Sequence, residues 1–151
     1  MLVAVGADHR GLEQKQWVCE ALAALECQPV DVGTHSEDSC DYPDIAAEVA
    51  KQVVLGNAEL GILLCGTGIG MSIAANKVHG IRAAVCHNEE TAKLARQHNN
   101  ANVLCLPANN ANAEFIQQII GAWLNSEFEG DRHSRRIDKI SALESQACTA
   151  Q

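Results

Sequence analysis

The sequence predicts an α/β protein, a three-layer sandwich in which helices cover both faces of a five-stranded, mostly parallel sheet. Three observations predict it. Five short apolar segments alternate with longer segments of helical period, the order that yields parallel strands joined by crossovers. The chain has 151 residues, 47% of them hydrophobic, and no Pro/Gly/Ser-rich linker, which suits one domain over residues 1–151 and is too short for two. The third apolar segment runs into three alternating glycines and then a helix, the kind of strand-to-helix turn at which such folds gather ligands.

Taken in order, residues 2–5 form the first strand and residues 6–11 the loop after it. In the helix that follows, Val18, Leu22 and Leu25 recur at helical spacing, with Glu13, Gln14, Lys15 and Glu20 on the wet side. Pro29 restarts the chain, and residues 30–33 are the second strand. A polar loop over residues 34–42 leads to a helix with Pro43 as a suitable first residue and Asp44 in its first turn, running through Ile45, Val49 and Val53 to Gly56. Residues 60–65 are the third strand, and residues 71–77 a short helix beyond the glycines. Residues 81–85 are the fourth strand; Asn88 caps a helix that carries Glu89 and Glu90 at its start and ends near His98. Residues 102–106 are the fifth strand, broken by Pro107.

The clearest period in the chain lies over residues 112–128, where Phe115, Ile116, Ile119, Ile120, Trp123 and Leu124 share a face. After Gly130 a basic knot, Arg132-His133-Ser134-Arg135-Arg136, opens a C-terminal helix with Ile137, Ile140 and Leu143 in a stripe. An apolar stripe on a helix that follows a finished domain predicts contact with a partner subunit, hence a homodimer, with a tetramer as the larger alternative.

Composition narrows the function. A net charge of −8, from 11 basic and 19 acidic residues, disfavours nucleic acid and acidic membrane surfaces, and 3% aromatic residues leave little to stack on bases. Cysteines 19, 27, 40, 65, 86, 105 and 148 are odd in number and contain no C-x-x-C pair, so they frame neither a disulfide scaffold nor a zinc site. No apolar run approaches a membrane span and the N-terminus begins directly with a strand, so the expected location is the cytoplasm.

The glycine turn carries the chemistry. In Cys65-Gly66-Thr67-Gly68-Ile69-Gly70 the glycines let backbone N–H groups approach a ligand, and the helix start adds partial positive charge. The run lacks the Lys-Ser/Thr of a P-loop, and Met71 stands where a dinucleotide fingerprint needs its third glycine. Cys65, at the lip of this cradle, is placed to act as base or nucleophile. Loops after parallel strands share an edge, so Asp8, His9 and Arg10, then Tyr42, then residues 65–70 gather there. His98 and Asn99 end a helix and therefore lie at the opposite edge; they reach such a site only from a second subunit.

Six separated motifs are in order along residues 1 to about 140: Asp8-His9-Arg10-Gly11, Asp41-Tyr42-Pro43, Cys65 to Gly70, Ser72-Ile73-Ala74-Ala75-Asn76-Lys77, Arg96-Gln97-His98-Asn99, and Arg132-His133 with Arg136. In these the chain resembles the type B ribose-5-phosphate isomerase family, which also contains galactose-6-phosphate isomerase subunits. The resemblance implies a Rossmann-like sheet and aldose–ketose isomerisation of a phosphorylated sugar through an enediolate, with no metal and no cofactor. It implies that Cys65 is the base between C1 and C2 and that His98 opens the ring. Backbone N–H groups of Gly66, Gly68, Ile69 and Gly70 hold the enediolate oxygen. Asp8, Thr67, Tyr42 and Asn99 handle hydroxyls and proton traffic, while His9, Arg132 and Arg136 grip the phosphate.

The physics is consistent with these roles. Removing a proton beside a carbonyl leaves an oxyanion, for which one preorganised donor is worth roughly 3 kcal/mol. Histidine suits acid–base work near neutrality, and paired arginines match a phosphate. Plainer readings stand beside them: Cys65 as a small buried hydrophobe, His98 as a cation at a helix end, Asp8 as a helix N-cap, the arginine knot as a solvated helix start. His35, His79, His87 and Cys40 read as loop or surface residues, and the remaining cysteines as packing.

One position departs from the family pattern. Asn109 stands after the fifth strand where the family usually has a phosphate-binding arginine, and Arg10 or Arg135 would have to supply that charge. The departure leaves open a tetrose or hexose phosphate, such as erythrose or erythrulose phosphate, galactose 6-phosphate or allose 6-phosphate, in place of the ribose 5-phosphate and ribulose 5-phosphate pair. A non-catalytic sugar-phosphate sensor is the alternative of another class.

Overall fold

The computed structural model describes residues 1–149, and side chains through residue 145; Cys148 lies beyond the described side chains. The elements are β1 (Leu2–Ala7), a 3-10 turn (His9–Gly11), α1 (Leu12–Ala24), β2 (Gln28–Asp31), α2 (Tyr42–Val54), β3 (Leu60–Cys65), α3 (Ile69–Ala75), β4 (Ala83–Val85), α4 (Glu89–Asn99), β5 (Val103–Pro107), α5 (Ala113–Leu124) and α6 (Arg132–Thr149). The five strands form one sheet in the order β2-β1-β3-β5-β4, with every pair parallel. The chain moves outward to β2, then crosses back over β1 to β3, so the strand order switches direction between β1 and β3.

Side chains alternate across the strands as a period of two requires. Val3, Val5, Ile62, Leu64, Leu104 and Leu106 face a core built with α1, α4 and α5, where Trp123 is fully buried. Ala4, Leu63, Cys65, Val103 and Cys105 face the other core, under α2 and α3. This parity decides which face Cys65 takes.

The structure moves several boundaries, each for a local reason. Strand β2 starts at Gln28, with Pro29 inside it opposite Val3; as an edge strand it has one neighbour, so proline's missing donor costs no ladder bond. Helix α3 stops at Ala75, because the Asn76 side chain bonds both the N–H (2.8 Å) and the carbonyl (2.9 Å) of Ala83 and turns the chain toward β4. Pro107 is the last residue of β5, paired with Cys65, and α5 ends at Leu124, four residues before Phe128.

Lys15 corrects the sequence reading outright. It is 4% exposed, and its Nζ donates to Asp31 Oδ1 at 2.7 Å and to the Thr34 carbonyl at 2.6 Å. Lys15, Val18 and Leu22 are spaced i, i+3, i+7, so the lysine lies on the buried stripe, and a carboxylate at the end of β2 makes its burial tolerable.

Candidate active site

The edge at which the strands end is crowded around the glycine turn, and each glycine is needed by a different neighbour. Gly68 has φ +76°, a left-handed conformation that disfavours side chains, and a Cβ there would lie 3.1 Å from the backbone of Leu106. A Cβ on Gly70 would sit 2.8 Å from the Tyr42 ring, and one on Gly66 3.3 Å from Asn109 Nδ2 and 3.6 Å from Arg10 Nε. Tyr42, Arg10 and Asn109 therefore converge on the turn. The Thr67 hydroxyl accepts from the Ile69 N–H at 3.3 Å.

Backbone bonds from the neighbouring strand ends fix this arrangement. Ala108 N donates to the Cys65 carbonyl (2.8 Å), Asn109 N to the Gly66 carbonyl (3.0 Å), and Asp8 N to the Leu64 carbonyl (3.1 Å). Cys65 is 5% exposed at the mouth of the turn. The Asp8 carboxylate, also 5% exposed, accepts from Arg10 N at 2.9 Å, which makes Asp8 the N-cap that the plainer reading expects. His9 Nδ1 accepts from Cys40 N at 3.3 Å, so the loop before α2 holds the imidazole with Nδ1 as acceptor.

Three of the other cysteines, Cys19, Cys86 and Cys105, offer no rival. Burial pushes the Cys86 thiol up to about 11 and raises that of Cys105, and burial together with Asp31 raises that of Cys19. All three are held in the unreactive protonated form.

The remaining predicted residues form a second group at the opposite edge. Helix α4 runs back across the sheet, so its last residues, His98 and Asn99, stand where β5 begins. The turn after α5 is tied to them by a bond from Glu129 N to the Gln97 carbonyl at 3.0 Å, and this brings the start of α6 alongside. There the His98 and His133 rings stack with centroids 4.3 Å apart and planes 6° from parallel. Glu129 Oε2 lies 3.7 Å from Nε2 of each ring. Arg132 Nε faces His133 Nε2 at 3.3 Å, and Arg132 and Arg136 are exposed on the first turns of α6.

Burial first, then His98, Arg132 and Arg136, hold His133 below the ordinary histidine range, against an opposing pull from Glu129. Asn99 opens on a cavity of about 460 Å³ that Asn76, Arg82, Ile140, Leu143 and Glu144 also line. Within one chain His9 thus stands at one edge and Arg132 and Arg136 at the other. Glu129 and the buried position of His133 were not foreseen. The one available signal was their i, i+4 spacing across Gly130, which carries little information in an irregular turn.

His98, Glu129 and His133 are also the group of potential metal donors among the described residues, with one donor atom from each inside 4.8 Å of the others. The parallel rings and the arginine N–H on His133 Nε2 suit proton sharing better than a metal, whose ligands must converge with free lone pairs. No described helix is long and apolar enough to cross a membrane.

Comparison with known proteins is decisive about ancestry. Residues 3–140 match the family described as Ribose/Galactose Isomerase. The chain belongs to this family. It is 43% identical over 142 residues to ribose-5-phosphate isomerase B of Escherichia coli K12, covering 94% of this chain and 95% of the relative. It is 42% identical over 148 residues to a D-erythrulose-4-phosphate isomerase of Pectobacterium atrosepticum, covering 95% of each. It superposes with a TM-score of 0.90, at 44% identity, on ribose-5-phosphate isomerase B from Mycoplasma genitalium with bound ribulose-5-phosphate, covering 95% of this chain and 96% of that one. The family and the sheet are as the sequence motifs implied.

Proposed function

We propose that this chain, as one domain over residues 1–151, interconverts ribose 5-phosphate and ribulose 5-phosphate by proton transfer through an enediolate. The observation that carries this reading is Cys65 at the mouth of a glycine turn on which Tyr42, Arg10 and Asn109 converge. The Cys65 thiolate removes the C2 proton of the open-chain aldose, electrons move onto the carbonyl oxygen, and the same proton or one from solvent returns to C1 to give the ketose. N–H groups over residues 66–70 stabilise the oxyanion, while Asp8 and Thr67 relay protons between the oxygens. The negative charge of the phosphate is met by His9 and Arg10, with Arg132 and Arg136.

A complete site needs two copies of the chain, because His98, Asn99, Arg132 and Arg136 stand at the far edge from Cys65. Apolar side chains support a homodimer. Ile69 and Ile73 on α3 are 52% and 58% exposed, and Ile140 and Leu143 on α6 are 43% and 63% exposed beside the cavity. Six free cysteines among the described residues suit the reducing cytoplasm.

The test is incubation with ribose 5-phosphate in deuterated water, followed by NMR. Ribulose signals with deuterium at C1 are the expected result, and absence of turnover on the pentose would overturn the substrate assignment. A second reading, a tetrose phosphate, is favoured by Asn109 at the cradle and by the erythrulose-phosphate relative. Comparing kcat/KM over four-, five- and six-carbon aldose phosphates separates the two and covers the hexose phosphates as well.

A further inference from the structure

Beside the stacked histidines one carboxylate faces two imidazoles, and only His98 has an Nε2 left to pair with it, because Arg132 Nε occupies that of His133. His133 is 5% exposed, and its Nε2 accepts from Arg132 Nε at 3.3 Å, so this nitrogen has no proton to give Glu129. Two imidazolium ions stacked at 4.3 Å would repel, and Arg132 and Arg136 add like charge on the same side. His133 is accordingly a neutral, flat platform. The carboxylate, 3.7 Å from Nε2 of both rings and outside direct hydrogen-bond distance of either, is left to favour a proton on His98 Nε2 through its charge.

We infer that Glu129 and His133 are positioning residues for ring opening: the carboxylate holds the proton of His98 on Nε2, and the stacked ring of His133 fixes the plane in which His98 presents Nδ1. The inference rests on the proposed role of His98 as the acid–base group that opens the sugar ring. The arrangement follows the general rule that the partner of one imidazole nitrogen sets the tautomer of the other. Its scaffold is independent of the side chains it positions, since Glu129 N bonds the Gln97 carbonyl and His133 N bonds the Gly130 carbonyl at 2.9 Å. A substitution of the carboxylate therefore leaves the turn in place.

Two activities that share Cys65 but not ring opening provide the test. Ribose 5-phosphate closes a five-membered ring through O4, whereas in ribulose 5-phosphate the phosphate blocks O5 and the ketose stays open. Exchange of the C1 hydrogens of ribulose 5-phosphate with deuterated water needs only the enediolate step. In that step the thiolate takes a C1 proton and a deuteron returns to C1.

Three variants, Glu129→Gln, Glu129→Asp and His98→Asn, are compared by aldose turnover and by ketose exchange. Expected for Glu129→Gln is a loss of about tenfold or more in kcat/KM on ribose 5-phosphate, smaller than the roughly 10²–10⁴ a whole acid–base group supplies. Its ketose exchange should stay within about twofold of the parent, and Glu129→Asp should recover part of the aldose activity. His98→Asn should show the same split, more strongly. If His98→Asn loses both activities together, the ring-opening role fails and the inference falls with it. If His98→Asn splits them and Glu129→Gln loses neither or both, the inference alone is overturned.

Discussion

The two edges of the sheet hold the proposed site in different ways. At the edge where the strands end, residues 65–70 and 108–109 are locked by backbone hydrogen bonds between neighbouring strand exits, and Cys65 and Asp8 are almost fully buried. At the other edge, His98 sits on the last turn of a helix, and its surroundings are side chains: a stacked imidazole, a half-exposed carboxylate and exposed arginines. The first edge is a rigid cradle whose geometry the fold itself imposes. The second is a set of groups at helix ends, positioned to be offered outward. Parallel α/β topology accounts for the asymmetry, since the exits of β1 and β3 flank the switch in strand order and can surround a ligand, while helix C-termini at the far edge cannot.

The strongest way to sharpen this contrast is to remove one group from each edge. Replacing Cys65 by Ala should lower kcat on the order of 10³-fold or more while leaving sugar-phosphate affinity nearly intact, as measured by turnover and calorimetry. Retained turnover would move the chemistry away from the cradle. The contrast then makes a further demand, because the proposed site brings groups from opposite edges together across two subunits. Inactive Cys65→Ala and inactive His98→Asn chains, unfolded together and refolded as a mixture, should regain roughly a quarter of parental activity: about half the dimers are mixed, and each has one intact site of two. No recovery, with mixed dimers demonstrated by mass spectrometry, would place both groups in one chain's site and break the comparison.

Legibility in the sequence divides along the same line. The cradle was readable because it depends on residue types with strong local meaning: a strand-ending apolar run and alternating glycines. The helix cap expected of Asn88 is likewise present, its side chain accepting from Thr91 N at 2.8 Å. The far edge was readable only in its address, which topology fixes, and not in its contacts. Nothing in the order of residues 125–133 announces that Glu129 lies between two imidazoles, since that depends on how the turn after α5 docks on the end of α4. Lys15 was misread for a related reason. A lysine on an apolar stripe looks solvated until a carboxylate from another strand is brought to it.

The glycines of the cradle should respond individually, and by less than the loss of Cys65. Gly70→Ala pushes a methyl group into the Tyr42 ring, whose edge stands 2.8 Å from the new Cβ, so the ring must swing away. Expected is a rise in KM of several-fold with kcat less affected. Gly68→Ala meets both a left-handed φ and the Leu106 backbone at 3.1 Å, and should destabilise the fold by about 1–2 kcal/mol or more in denaturant titration. If Gly68→Ala were neutral in stability, the cradle would be softer than its backbone bonds imply.

The smallest effect is expected furthest from the turn, where Lys15 tests how the cradle edge is supported from behind. Its ammonium bonds Asp31 and the Thr34 carbonyl, at the start of the loop whose other end brings Cys40 N to His9. Lys15→Met keeps the buried stem and removes the charge, leaving Asp31, which is 36% exposed at its side chain, to be rehydrated. The cost to stability should then be modest, about 1–2 kcal/mol, since water can take over part of the lost bonding. With the strand-exit bonds untouched, kcat should stay within about twofold and KM rise slightly as His9 loses its fixed neighbour. A fall in kcat as large as that of Glu129→Gln would mean that the cradle edge depends on side-chain props as much as the helix-end edge does, and the distinction between the two would collapse.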